Sequence, residues 1–227
     1  MKKLIVSALL GATAMIAATP AHAGDSEGKL QVKLLATGVL PDGKITKVTV
    51  DPGLPVGTDT KANDNWVPTL AIEYFLSPQV SVETICCLTQ HDVDAVSPAA
   101  LAGGELVADA KILPATVTLK YHFTKSGVRP YVGVGPTWFL FIDEKPGAAA
   151  VTLLGATRQK LDNRVGAVLQ AGVDIPVNDR GLGISFDAKR YFLSTTAHWY
   201  NGAGTEVLST RHKLDPWVIS SGVSYRF

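Results

Sequence analysis

Counted back from the C-terminus in steps of two, Phe227, Tyr225, Val223, Ser221, Ile219 and Trp217 make one face of the final segment. Arg226, Ser224, Gly222, Ser220, Val218 and Pro216 make the other. Aromatics close both ends of the first face, whereas small and polar groups dominate the second. Period-two alternation is the mark of a β-strand. Rings at both ends of one face suit the two headgroup levels of a bilayer, and residues 217–227 match the roughly 9–11 tilted residues that cross a hydrocarbon core.

Seven further segments alternate in the same way, giving eight at 29–38, 66–75, 80–88, 112–123, 129–141, 164–175, 182–192 and 214–227. The connections at 76–79, 124–128 and 176–181 are short and rich in Ser, Pro, Asn, Asp and Gly; those at 39–65, 89–111, 142–163 and 193–213 are long. Short and long alternate without exception. The pattern predicts an all-β fold, an eight-stranded antiparallel up-and-down transmembrane barrel with short periplasmic turns and long extracellular loops. Within it, Leu113, Ala115, Val117, Leu119, Tyr121 and Phe123 face lipid, and Pro114, Thr116, Thr118, Lys120 and His122 face the lumen. Glu73, Glu83, Arg164, Gln170, Asp174, Asp187, Lys189 and Arg226 are also placed inward. A one-residue slip would put these charges into lipid, at about 2–4 kcal/mol for a midplane Lys or Arg, so register is fixed. Pro136 removes a ladder donor and predicts a bulge in the fifth strand. Tyr74, Tyr121, Tyr131 and Tyr225 are assigned to the turn-side aromatic girdle, and Trp66, Trp138, Phe192 and Trp217 to the loop side.

Lys2-Lys3, an apolar stretch from Leu4 to Ala18 and Ala21-His22-Ala23 read as a secretory signal peptide cleaved after Ala23, leaving 24–227 as one barrel domain in the outer membrane of a Gram-negative cell. Loss of Lys2 and Lys3 changes the formal charge from +1 to −1, which gives no argument for nucleic-acid binding. Cys86 and Cys87 are adjacent, so a strand sends them to opposite faces; two small apolar fillers are expected, with a reactive thiol or intermolecular bridge as the alternative in an oxidising compartment.

Four motifs carry a family resemblance: Leu113-Pro114-Ala115-Thr116 leading to Tyr121-His122-Phe123; Arg129-Pro130-Tyr131-Val132-Gly133-Val134-Gly135; Gln170-Ala171-Gly172-Val173-Asp174; and Leu214-Asp215-Pro216-Trp217-Val218 ending in Tyr225-Arg226-Phe227. In this order they resemble the OmpW family of small outer-membrane barrels. The resemblance implies a narrow, partly apolar lumen through which small hydrophobic molecules pass or in which they bind, with sideways release into the membrane. It places Ile85 and Lys189 at the constriction, where the family carries apolar groups; Ile85 fits, and Lys189 beside Asp187 makes this lumen more polar. The family's Thr-Pro-Phe before the second long loop is replaced by Leu88-Thr89-Gln90.

The candidate lumen-lining set is Ile85, Lys189, Asp187, Glu73, Glu83, Lys120, Asp174, Arg164 and Arg226, four acids against four bases, which suits either a polar path or paired charges plugging the interior. Tyr225 and Phe227 are expected to be the C-terminal signal read by the barrel-assembly machinery. Other expected partners are outer-membrane lipid and small hydrophobic solutes, with the chain a monomer. No cofactor, metal site or catalytic residue is assigned. His91, Asp92 and Asp94 lack a completing cluster, Pro146–Leu154 suggests a lid or short helix, and no Ser–His pair is evident on the outer wall. A loop-mediated receptor role with a plugged barrel, or a purely structural coat, remains as an alternative.

Overall fold

The computed structural model describes residues 27–124 and 127–227; the predicted signal peptide and its cleavage site lie outside them. In chain order the elements are β1 (Leu30–Leu40), β2 (Lys44–Val50), β3 (Asp59–Ala62), β4 (Asn65–Ser77), β5 (Val80–Cys86), β6 (Thr89–Ser97), β7 (Glu105–His122), β8 (Arg129–Ile142), β9 (Lys145–Pro146), α1 (Ala148–Leu154), β10 (Ala156–Leu161), β11 (Arg164–Pro176), β12 (Leu182–Phe192), β13 (Ser194–Asn201), β14 (Glu206–Lys213) and β15 (Trp217–Arg226). Among the described residues no helix is long and apolar enough to cross a membrane.

Strands β1, β4, β5, β7, β8, β11, β12 and β15 pair antiparallel in a closed ring. The seam is β1 on β15, from Gln31 opposite Arg226 to Leu40 opposite Trp217. All eight predicted segments lie in this ring. Closure pairs every wall strand on both sides, which lipid demands because it offers backbone groups no partner. Outward positions carry the exposed apolar residues: Leu34, Leu70, Val117, Leu119, Val134, Leu169, Phe186, Ile219 and Val223.

Three local expectations are corrected. Pro136 causes no bulge: β7 and β8 keep one register from Thr116–Thr137 to Leu119–Val134, and Pro136 faces out opposite Ala167. The proline only leaves a local gap in the ladder. Tyr131 is not a girdle residue; it is 2% exposed, because it shares inward parity with Arg129 and Gly133. The long loops, in turn, are largely folded. β6 and the first half of β7 extend the wall above the ring, with β3 and β9 alongside, and β10-β13-β14-β2 forms a separate four-stranded sheet. The anticipated short helix near the mouth is α1.

Gly135 permits the close approach of β7 and β8. A Cβ there would lie 1.9 Å from the Val117 carbonyl oxygen.

Candidate functional site: an apolar cup on an ionic floor

Inward positions on seven ring strands meet in one ion-pair network. β1 supplies Lys33, β4 Glu73, β5 Glu83, β7 Lys120, β8 Tyr131, β11 Asp174, and β12 both Asp187 and Lys189. Lys33 Nζ lies 2.9 Å from Glu73, 2.9 Å from Asp174 and 3.4 Å from Glu83. Lys120 Nζ lies 2.8 Å from Glu73 and 2.9 Å from Glu83, and Lys189 Nζ lies 3.2 Å from Glu83 and 2.5 Å from Asp187. Gln170 donates to Glu83 at 2.9 Å and to Asp187 at 2.6 Å, and Tyr131 donates to Asp187 at 2.8 Å. The Tyr131 ring also lies under Lys120 Nζ, 3.6 Å from its centroid. Every one of these charges is buried, so each must be paired to be tolerated. The barrel interior is filled across its width at this level, as expected for eight strands.

Two assigned charges lie elsewhere. Arg164 is exposed at the loop end of β11, where it still pairs with Phe139 of β8, and its guanidinium turns to Asp162 at 2.7 Å rather than to the floor. Arg226 is buried at the turn-side end, stacked on Phe75 with its Cζ 3.6 Å from the ring centre. Lys33 was not singled out in the sequence, although its spacing from Gln31, Leu35 and Thr37 places it inward. The network therefore sets four carboxylates against three lysines.

Above the floor the lining changes to apolar. A chamber of about 60 Å³ is lined by Leu35, Val39, Val107, Ile112, Phe139, Phe141, Leu161 and Val218 among others, with Ile85, Lys189 and Tyr191 at its base. A second, separate space is lined by Ala95, Leu101, Leu106, Leu153, Leu154 and Leu208 among others. Trp199 of β13 is buried, its indole N–H bonded to the Leu106 carbonyl at 3.0 Å.

His91 and His212 line the chamber wall. His91 Nδ1 meets the Asn63 carbonyl at 2.7 Å and Nε2 meets Thr89 Oγ1 at 2.9 Å. His212 Nδ1 meets the Gly43 carbonyl at 3.0 Å and Nε2 meets Thr210 Oγ1 at 2.6 Å. Burial pushes both imidazoles below their ordinary range, against the backbone carbonyls that raise them. Asp92 bonds the amide of Asp109 at 2.9 Å rather than joining His91, so the His91-Asp92-Asp94 run does not converge. Glu73, His122 and Asp174 bring ligand atoms within 4.8 Å of one another, but the Lys33 ammonium bridges the two carboxylates and fills that place with positive charge.

Beside the chamber the β5–β7 ladder is interrupted, as the β7–β8 ladder is at Val117 and Thr118. The β5–β7 ladder ends at Ile85–Thr116 and resumes between β6 and β7 at Thr89–Ile112. Residues 86–88 therefore face 113–115 unpaired, and Pro114 has no N–H to offer. Cys87 and Pro114 line the chamber here, whereas Cys86 and Leu88 are exposed on the outer surface. The two thiols are free and on opposite faces.

A Ser–His pair does occur in the extracellular sheet, off the barrel wall. His198 of β13 lies across from Ser209 of β14, 3.3 Å from its Oγ, and meets Glu206 at 2.6 Å. Sequence reading missed it because the loop alternation is broken by a bulge. Ser209 is 2% exposed, and Glu206 already occupies the same imidazole nitrogen, so no nucleophile is presented.

A family model described as the OmpW family matches residues 26–227. An uncharacterized outer-membrane protein, y4mB, of Sinorhizobium fredii is 37% identical over 203 residues, covering 87% of this chain and 79% of that one. Outer membrane protein W of Vibrio cholerae is 27% identical over 228 residues, covering 96% and 97%. The crystal structure of OprG from Pseudomonas aeruginosa superposes with a TM-score of 0.73 at 25% identity, over 90% of this chain and 98% of that one.

Proposed function

The chain belongs to the OmpW family of outer-membrane barrels, and from that premise we propose that it passes small, mainly hydrophobic molecules from the cell exterior into the membrane. They enter the apolar cup, rest above the ionic floor and leave sideways through the wall at residues 86–88 and 113–115. The observation that carries this reading is the change of lining at Lys189: apolar above, densely ion-paired below. An apolar solute moving down past Lys189 would have to separate buried ion pairs, which costs several kcal/mol without return. Lateral departure breaks no ladder bond at the gap, and the solute's apolar surface goes directly from chamber to hydrocarbon. The rotation of Cys86 into lipid and Cys87 into the chamber marks the same point from both sides.

The test pairs single-channel conductance with quenching of tryptophan fluorescence by small brominated apolar ligands. Saturable quenching with little ionic current is the expected outcome. No quenching and no current would reject transport and leave the folded extracellular region as the working part.

A further inference from the structure

The extracellular region is electrically two-sided. The four-stranded sheet turns Trp199, Leu161 and His212 inward and presents its other face to the outside. That outer face and the wall below it carry Lys47, Arg158, Lys160, Arg190 and Arg211, and among the described residues none of these has a carboxylate within 4.0 Å. Arg211 and Lys47 are cross-strand partners, so two like charges sit side by side, an arrangement that disfavours the free sheet. The acids on this face are already engaged: Asp162 with Arg164, Glu206 with His198, Asp215 with Lys213. On the other flank the balance reverses. Asp64, Asp92, Asp94 and Asp109 gather there; of the bases, Lys111 and Lys145 are held by Asp143 and Asp109, and Lys61 stands across from Asp94.

The height of the basic face is set by aromatics. Arg190 lies outward at the loop-side girdle, its guanidinium 5.2 Å from the Trp217 ring centre. Above it come Arg211 with Lys47, then Lys160, then Arg158, whose guanidinium lies 4.3 Å over the Tyr200 ring. From Arg190 to the row of Arg211 is six residues along the chain, about 20 Å, and each later row rises by two residues, about 7 Å. Arg190 thus sits at the headgroup plane and the other unpaired charges stand beyond it, in the layer occupied by phosphorylated sugars. An unneutralised basic array on a membrane protein at that depth matches an anionic lipid surface, and arginine favours phosphate oxygens.

We propose that the outer face of β10-β13-β14-β2 is a docking surface for the phosphates of an outer-leaflet glycolipid, which flanks the cup on one side only. The glycolipid would neutralise the Lys47–Arg211 pair and fasten the sheet over the chamber.

The test measures binding of rough lipopolysaccharide by the detergent-refolded full barrel, with folding checked by heat-modified migration. Lys47→Gln/Lys160→Gln/Arg211→Gln removes three exposed charges from the face. Lys61→Gln/Lys111→Gln/Lys145→Gln makes the same change in net charge on the other flank. Each charge lost from the basic face is expected to weaken binding about fivefold, so the first variant loses roughly a hundredfold and the second stays within about twofold of wild type. Removing the glycolipid's phosphates should abolish the difference between wild type and the first variant, and millimolar inorganic phosphate should not displace the glycolipid. Equal losses in the two variants, binding that survives removal of the phosphates, or displacement by free phosphate would overturn the proposal.

Discussion

Replacing Lys189 by leucine separates the two roles assigned to the ionic floor. Lys189 is 2% exposed, 2.5 Å from Asp187 and 3.2 Å from Glu83. At an effective dielectric near 20, these contacts correspond to gross attractions of about 7 and 5 kcal/mol. Most of that offsets the cost of burying the charges, so the informative quantity is what remains when one partner is removed. Glu83 keeps Lys33, Lys120 and Gln170. Asp187 keeps only neutral donors, Tyr131 and Gln170, and becomes a buried charge without a cation. Stranding such a group costs about 3–5 kcal/mol. Lys189→Leu should therefore lower the unfolding free energy of the refolded barrel in urea by that amount. Lys189→Leu/Asp187→Leu removes both members and should recover most of the loss, a coupling of about 2–3 kcal/mol in the double-mutant cycle. A single-variant cost below about 1 kcal/mol, or strictly additive costs, would refute the idea that paired charge closes the lumen.

Protonation supplies a second prediction. A histidine whose folded pKa is depressed binds protons more readily when unfolded, so its contribution is full above the unfolded pKa of about 6.5 and is lost as pH falls below it. His91 and His212 should therefore make the upper cup less stable by up to about 1.4 kcal/mol per pH unit each below pH 6.5; hydrogen exchange should record this in β3, β6 and β14, and His91→Gln/His212→Gln should flatten it. Gly135→Val should fail to give the heat-resistant folded form, since its Cβ meets the Val117 carbonyl at 1.9 Å; normal refolding yield would contradict the close β7–β8 approach. In lipid vesicles a membrane-soluble maleimide should label Cys86, while Cys87 labelling should fall when a brominated apolar ligand fills the chamber. Protection of Cys86 instead would place the ligand on the wrong side of the wall.

The barrel was legible because its rule is local. Lipid on one face and packed polar groups on the other impose strict alternation, and charges such as Glu73, Glu83, Asp174 and Lys189 have only one tolerable side. Lys33 obeys the same rule, and the spacing of Gln31, Lys33, Leu35 and Thr37 was the available signal. Tyr131 misled because an aromatic near a strand end suits a girdle by composition, whereas its parity with Arg129 and Gly133 assigns it inward. Arg164 misled in the opposite sense, having inward parity but sitting at the open end of the wall, where its side chain reaches Asp162 instead. The extracellular strands were hidden for a structural reason. β14 shifts register between Ser209 and Thr210 and again between Arg211 and His212, so Ile45, Val48 and Val50 of β2 do not alternate cleanly. The ion-pair network joins residues up to 141 positions apart in the chain, and no sequence window contains it.

The most direct measurement closes the proposed exit. The register on either side of the gap sets native Cys86 opposite outward-facing Ala115, so Ala115→Cys in a Cys87→Ser background permits an oxidisable staple across the wall. Uptake of an apolar fluorescent probe into vesicles should match wild type when the staple is reduced and fall to the protein-free level when it is oxidised, with chamber binding retained in both states. Undiminished uptake through the oxidised barrel would contradict lateral release.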